Sequence, residues 1–237
     1  MNGGTHERLA WRARHGIRRA EAAANAGKPN TDVIFDFGNV LIYWDPAAVM
    51  TPRYDDELVE RFLDNDISGF YDINNLLDGG MSNDEGVALM RKTSGDQWAD
   101  MLQYYLDNFV DSLTGVVPGA RVLINDLKAA GIGVWGLSNW QKDLFPIALE
   151  HYDILQTLND RVVSGYVELR KPHKDIYEHA LDRFGINAAG AMFVDDKAMN
   201  IVGANEAGIR GVRFKDSRAL RRLLIANGVD IPAVLQA

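Results

Sequence analysis

Four polar groups recur in chain order at positions suited to one site. Asp36 follows Val33-Ile34-Phe35, Ser138-Asn139 follow Ile132–Leu137, Lys171 lies in Arg170-Lys171-Pro172, and Asp195-Asp196 follow Ala191-Met192-Phe193-Val194. A carboxylate such as Asp36 can attack phosphorus and form an acyl phosphate, which splits ester hydrolysis into two easier steps. Carboxylate and phosphate repel each other, so the attack calls for a divalent cation. Oxygens from Asp36 and from Asp195 or Asp196 suit Mg2+, a hard ion that prefers carboxylates and water. Ser138 and Asn139 can hydrogen-bond the phosphoryl oxygens, and Lys171 can offset the remaining charge of a loose transition state. Taken singly, each residue has an ordinary explanation: an Asp in a turn, a Ser-Asn helix cap, a solvated Lys, a surface acid pair. Their order, with three of the four directly after apolar runs, favours a single constellation.

The segments that would position these residues alternate between strand and helix from Asp32 onward. Val33–Phe35, Ile132–Leu137, Ala191–Val194 and Gly211–Phe214 are short apolar runs bounded by helical stretches, the pattern of buried parallel strands in an α/β sheet. Pro118–Ala130 reads as an amphipathic helix with Val122, Leu123, Ile124 and Leu127 on its packed face, and His173–Phe184 and Lys197–Ala207 read similarly. In open α/β sheets the site lies beyond the carboxyl ends of the strands, where Asp36, Ser138 and Asp195-Asp196 would meet. Between Pro46 and Gly115 the strand pattern gives way to helices expected at Asp56–Leu63, Asn83–Lys92 and Asp96–Phe109, with Ser82 and Glu85 forming a capping box. The expected organisation is a basic N-terminal extension over 1–30, an α/β core over 31–46 and 115–237, and a helical cap over 47–114. The fold class is therefore α/β, a Rossmann-like doubly wound parallel sheet with an inserted all-helical cap.

Composition narrows the chemistry. The 237 residues contain no Cys, which excludes disulfides, thiolate catalysis and Cys-ligated zinc, and is compatible with a cytoplasmic location. A net charge of -8 argues against generic nucleic-acid binding but not against a small phosphorylated metabolite held by local cations and a metal. No apolar run is long enough to suggest a membrane span. Arg8, Arg12, Arg14, Arg18, Arg19 and Lys28 make the first 30 residues basic; they read as a solvated extension in preference to an organellar transit peptide. His151 and His173 are not at metal-ligand spacing. Oligomeric state leaves no trace in the sequence.

The four groups resemble the motifs of the haloacid dehalogenase superfamily: Phe35-Asp36-Phe37-Gly38-Asn39-Val40, Leu137-Ser138-Asn139, Lys171-Pro172 and Val194-Asp195-Asp196. The resemblance spans about residues 32 to 226. It implies Asp36 as nucleophile, Ser138 and Asn139 as phosphate binders and Lys171 as charge stabiliser. It also implies Asp196 as direct metal ligand, Asp195 as a supporting one, the Gly38 carbonyl as a further Mg2+ ligand, and Asn200 as a recurrent position of the phosphatase branch. More narrowly, the first motif together with Val212-Arg213-Phe214-Lys215-Asp216 is similar to the sugar-phosphatase group that includes α-D-glucose-1-phosphate phosphatase. That likeness implies a hexose 1-phosphate or similar sugar phosphate as substrate.

One position departs from the pattern. Most phosphatases of the superfamily carry a second Asp two residues after the nucleophile to protonate the leaving group, and this chain has Gly38 there. A sugar 1-phosphate, whose anomeric hydroxyl is a better leaving group than an ordinary alcohol, would ease the loss. Asp45 is a candidate replacement acid, against a more ordinary reading as a turn residue before Pro46. Phe70, Tyr71, Trp98 and Tyr105 offer aromatic surface in the cap, and Trp140 stands where it would line the pocket or pack behind it. Two alternatives remain beside phosphate-ester hydrolysis: a haloacid dehalogenase-type reaction, which needs no Mg2+, and a non-catalytic binding protein on the same scaffold. A phosphomutase ranks below hydrolysis because it would need the acid missing at position 38.

Overall fold

The computed structural model describes residues 31–233, so the expected basic extension over 1–30 lies outside the described residues. The sheet at its centre is built from β1 (Asp32–Phe35), β4 (Gly133–Ser138), β5 (Asp160–Val163), β6 (Ala191–Asp195) and β7 (Arg210–Arg213), in the order β5-β4-β1-β6-β7. All four pairings are parallel. Such a sheet needs apolar residues on both faces, and Val33, Ile34 and Phe35 of β1 and every residue of β6 are buried accordingly. β7 is an edge strand with Arg210 and Arg213 exposed, and it begins one residue earlier than the apolar run Gly211–Phe214 suggests.

Helices cover the two faces. α7 (Ala120–Ala129) and α12 (Ser217–Ala226) pack on one, while α10 (Lys174–Phe184) and α11 (Ala198–Glu206) cover the other, which yields two apolar clusters. On α7, Leu123, Ile124 and Leu127 are buried as expected, but Val122 is 59% exposed. It sits one residue, about 100° of helical turn, away from the packed stripe that Leu123 occupies. Arg221 of α12 reaches back to Asp126 of α7 with Nη2–Oδ2 of 2.6 Å, an ion pair that stitches this layer.

Between β1 and α7 the chain leaves the sheet through a two-stranded antiparallel ribbon of β2 (Ile42–Trp44) and β3 (Leu113–Val116). Within that ribbon run α1 (Pro46–Met50), α2 (Asp56–Leu63), α3 (Asn65–Ser68), α4 (Phe70–Asp78), α5 (Asn83–Thr93) and α6 (Asp96–Asp107). Their core is aromatic: Phe62 and Phe70 have ring centroids 4.7 Å apart, and Trp98 packs on Phe62 at 6.4 Å. Ser82 and Glu85 form the expected reciprocal cap at the start of α5. The C-terminal end of α4 meets the core. Ser164 Oγ donates to the Asp78 carbonyl at 2.5 Å and accepts the Trp140 N–H at 2.9 Å, so one hydroxyl joins the end of α4 to the loop after β4. Among the described residues no helix is long and apolar enough to cross a membrane.

Candidate active site

The register of the sheet brings the expected residues together. Phe35 pairs with Gly136 on one side and Val194 on the other, so the next residue, Asp36, lies between the ends of β4 and β6. Its N–H donates to the Val194 carbonyl at 2.9 Å, extending the ladder by one residue. The turn beyond is closed by Asn39 at φ 57°, a left-handed conformation that Asn adopts more readily than most residues. Gly38 lies in the same turn, and a Cβ built there would meet no heavy atom within 4 Å.

Asp36 Oδ1 accepts hydrogen bonds from the Phe37 N–H at 2.7 Å and Ser138 Oγ at 2.7 Å, and it forms an ion pair with Lys171 Nζ at 2.8 Å. With its contacts gathered on one oxygen, Oδ2 is the atom left for attack. Burial pushes the Asp36 carboxyl up to about 6 against the pull of Lys171. Lys171 Nζ also donates to Asp195 Oδ2 at 2.7 Å and to the Leu137 carbonyl at 3.1 Å. Burial disfavours the ammonium, but Asp195 and Asp36 on either side hold it protonated and raise its pKa. Burial acts on the Asp195 carboxyl in the other sense, and Lys171 outweighs it to keep Asp195 ionised.

Asn139 does something the sequence did not suggest. Its side-chain amide donates to the Lys171 carbonyl at 2.9 Å and accepts the Lys171 N–H at 2.9 Å. Both ends of that side chain therefore clamp the Lys171 main chain, so the amide positions the lysine while Asn139 also borders the cavity. Asn200, expected as a supporting residue, donates to both Asp195 oxygens at 3.0 and 2.9 Å, while the Lys197 N–H adds a bond to Oδ1 at 2.8 Å. Asp195 is thus saturated by protein donors. Asp196 is only half-buried and faces the cavity.

Oxygens of Asp36, Asp195 and Asp196 lie within 4.8 Å of one another, a donor set of hard carboxylates that can hold a metal ion. Asp196 has the freer carboxylate of the adjacent pair, which fits it to bind the cation directly with Asp195 behind it. Gly38 borders the same space.

A cavity of about 640 Å³ opens over this centre, between the sheet ends and the helical insert. Trp44, Tyr105, Phe109, Trp140 and Leu144 form an apolar wall, and Asn74, Asn75, Gln141 and Asp78 add polar groups. Of the four insert aromatics named from sequence, only Tyr105 borders the cavity; Phe70 and Trp98 are spent on the insert's own core, and Tyr71 is partly exposed beside Trp44. Trp140 both lines the cavity and packs edge-on to Phe109 and Phe145. Its indole Nε1 and the Oε1 of Gln141 are buried without a protein partner. Asp45 is exposed, and its Oδ1 accepts the Ala47 N–H at 3.0 Å as the N-cap of α1, so the structure places it as a cap away from the cavity lining. His151 and His173 are exposed and are not among the residues that line this cavity. Asp78, Asn74 and Asn75 were invisible to sequence reasoning because α4 itself was.

A parallel sheet whose central strands deliver a buried carboxylate and an acid pair to one cavity, with a paired lysine from the loop before α10, defines a hydrolase of Rossmann-like architecture. The family model of haloacid dehalogenase-like hydrolases matches residues 33–214, and the chain belongs to that family. A sesquiterpene phosphatase of Aspergillus oryzae is 28% identical over 200 residues, covering 78% of this chain and 90% of that one. An (S)-2-haloacid dehalogenase of Burkholderia cepacia is 31% identical over 97 residues, 41% of this chain and 42% of that one. Among solved structures, a haloacid dehalogenase family enzyme of Bacteroides thetaiotaomicron, determined as a magnesium complex, aligns with a TM-score of 0.64 at 18% identity over 83% of this chain and 98% of that one, a likeness of fold.

Proposed function

We propose that this chain is a Mg2+-dependent phosphomonoester hydrolase that acts on a small organic phosphate through an aspartyl-phosphate on Asp36. The observation that carries this reading is the arrangement of Asp36 itself: one oxygen fixed by Ser138, Lys171 and a backbone N–H, the other free, and the acid pair within 4.8 Å. In the first half-reaction Asp36 Oδ2 attacks phosphorus and the ester oxygen departs; in the second, water attacks the phosphorus of the acyl phosphate and Asp36 is restored. Lys171 stays protonated throughout and faces the transferring group as a fixed positive charge. Mg2+ held by Asp36, Asp196 and the Gly38 carbonyl would neutralise the anions that must approach each other. The helical segment 47–114 acts as a cap that excludes water and carries specificity. A cytoplasmic location fits the Cys-free composition.

The adjacent Asp195-Asp196 pair favours phosphate transfer over dehalogenation, since a carbon–halogen bond needs no such cation site. For the substrate, the amides of Asn74, Asn75 and Gln141 offer partners to sugar hydroxyls, in keeping with a hexose 1-phosphate. A second reading rests on the apolar part of the lining. Trp44, Tyr105, Phe109, Trp140 and Leu144 suit an apolar tail such as a prenyl monophosphate, and the sesquiterpene phosphatase is a relative along most of its length. Phosphate release should be measured with hexose 1-phosphates, glyceraldehyde 3-phosphate and farnesyl monophosphate, with Mg2+ and with a chelator, for wild type and Asp36→Asn. Release that requires both Mg2+ and Asp36 is expected. Chloride release from a 2-haloacid that survives chelation would overturn the proposal.

A further inference from the structure

Position 38 carries no acid, yet the leaving alkoxide of an unactivated ester needs a proton. Asp78 is the only carboxylate that the insert contributes to the cavity wall. It is the last residue of α4 and nearly buried, and its place is fixed from both sides. Its carbonyl is tied through Ser164 Oγ to the Trp140 N–H, two residues beyond Ser138. Arg170, next to Lys171, donates through Nη1 to the Asn75 carbonyl of the same helix. The Asp78 carboxyl accepts one hydrogen bond at Oδ2, from Asn74 Nδ2 at 3.3 Å, and Asn74 Oδ1 in turn accepts from Gln141 Nε2 at 3.5 Å. Oδ1 is left for a ligand. We propose that Asp78 is the general acid and base of this site, delivered by the insert to the ester oxygen in place of an acid at position 38.

The charged groups that face Asp78 are Lys197 before α11, Arg170 and Lys171 in the loop before α10, and Asp36 at the end of β1; the buried Tyr105 hydroxyl of α6 lies within its field. Burial outweighs the three cations and pushes the carboxyl up to about 7, and the C-terminal end of a helix also disfavours a negative charge. At about 7 the Asp78 carboxyl exchanges its proton readily near neutral pH, and its protonated form is the one that meets the ester. As Asp36 Oδ2 bonds to phosphorus and the ester P–O bond breaks, the Asp78 proton passes to the departing oxygen, giving the free alcohol, aspartyl-phosphate and an Asp78 carboxylate. Water then attacks phosphorus, its proton returns to Asp78, the acyl P–O bond breaks, and inorganic phosphate leaves with Asp36 and protonated Asp78 restored.

This assignment rests on the phosphatase reading, and one set of measurements separates the two. With wild type, Asp78→Asn, and Asp78→Asn combined with Gly38→Asp, rates are measured on an alkyl phosphate and on 4-nitrophenyl phosphate, including the first-turnover burst. Asp78→Asn should lower kcat/KM for the alkyl ester by about 10²–10⁴-fold, the range of general acid catalysis. The nitrophenolate burst, whose leaving group needs no proton, should stay within about tenfold of wild type. Gly38→Asp, whose side chain enters open space, should restore alkyl-ester turnover in the double variant. Equal losses on both esters, or full alkyl-ester activity in Asp78→Asn, overturn the role of Asp78 while leaving the phosphatase intact. A wild type that releases phosphate from no ester sinks both.

Discussion

Replacing Asp78 by Asn should make the protein more stable in mild alkali, by an amount that the burial of this carboxyl fixes. In the unfolded chain the group ionises near 3.8, whereas in the native state it is pushed up to about 7. Between those values the native state holds a proton that the unfolded state has lost, so stability falls as pH rises through this window. Three pH units at about 1.4 kcal/mol each give a ceiling of about 4 kcal/mol, reached once pH exceeds the native value. Asn keeps the shape and has no charge to desolvate. The variant should therefore gain on the wild type by about 2–3 kcal/mol between about pH 5 and about pH 8. Urea unfolding of both proteins at each pH, followed by circular dichroism and compared at equal m, measures the gap directly. Other titrating groups act in both proteins and largely cancel in the difference. A gap that stays constant across this range would show that Asp78 is ionised in the native state at neutral pH, and the reasoning from its burial would fail.

The remaining predictions concern the lysine and the loop that carries it. Lys171→Met leaves Asp36 and Asp195 buried without their cation, and breaking such a pair should cost about 3–5 kcal/mol in a urea titration at neutral pH. The loss should shrink as acid protonates the two carboxylates. Gly203→Ala would set a Cβ 2.1 Å from the Pro172 carbonyl oxygen, so α11 or the Lys171-Pro172 loop must shift. About 1–3 kcal/mol of destabilisation is expected in thermal or urea unfolding, with a fall in kcat rather than a rise in KM if the loop is what gives way.

The parts of the molecule that sequence reveals are those where one physical demand dominates. β1, β4 and β6 are buried on both faces, so their apolar runs stand out, and the residue after each is forced into the site by register. β5, Asp160-Arg161-Val162-Val163, was missed because as an edge strand it is half polar, with Asp160 paired to Arg183. β2 and β3 are too short to show a period, and Gly115 interrupts the second. α4 escaped for a different reason: its N-cap is Gly69, which offers no side-chain bond, and Asn74-Asn75 in its middle reads as a turn. With α4 went Asp78. Asn139 shows the limit for roles as opposed to positions, since an amide suited to a phosphate also suits a backbone, and its clamp on the Lys171 main chain at 2.9 Å is visible only in the fold.

The narrow ribbon of β2 and β3, through which the chain enters and leaves the helical insert, makes the enzyme modular in an unequal way. Every residue proposed to handle the phosphate comes from strand ends and loops of the sheet, which an exchange of residues 46–112 would leave untouched. Asp78, the proposed proton donor, and much of the cavity wall would travel with the insert. A lineage that trades inserts at this ribbon therefore changes which alcohol it can release at the same time as which shape it accepts, while its nucleophile evolves under separate constraints. In laboratory recombination, chimaeras joined within β2 and β3 should inherit their leaving-group preference from the insert parent.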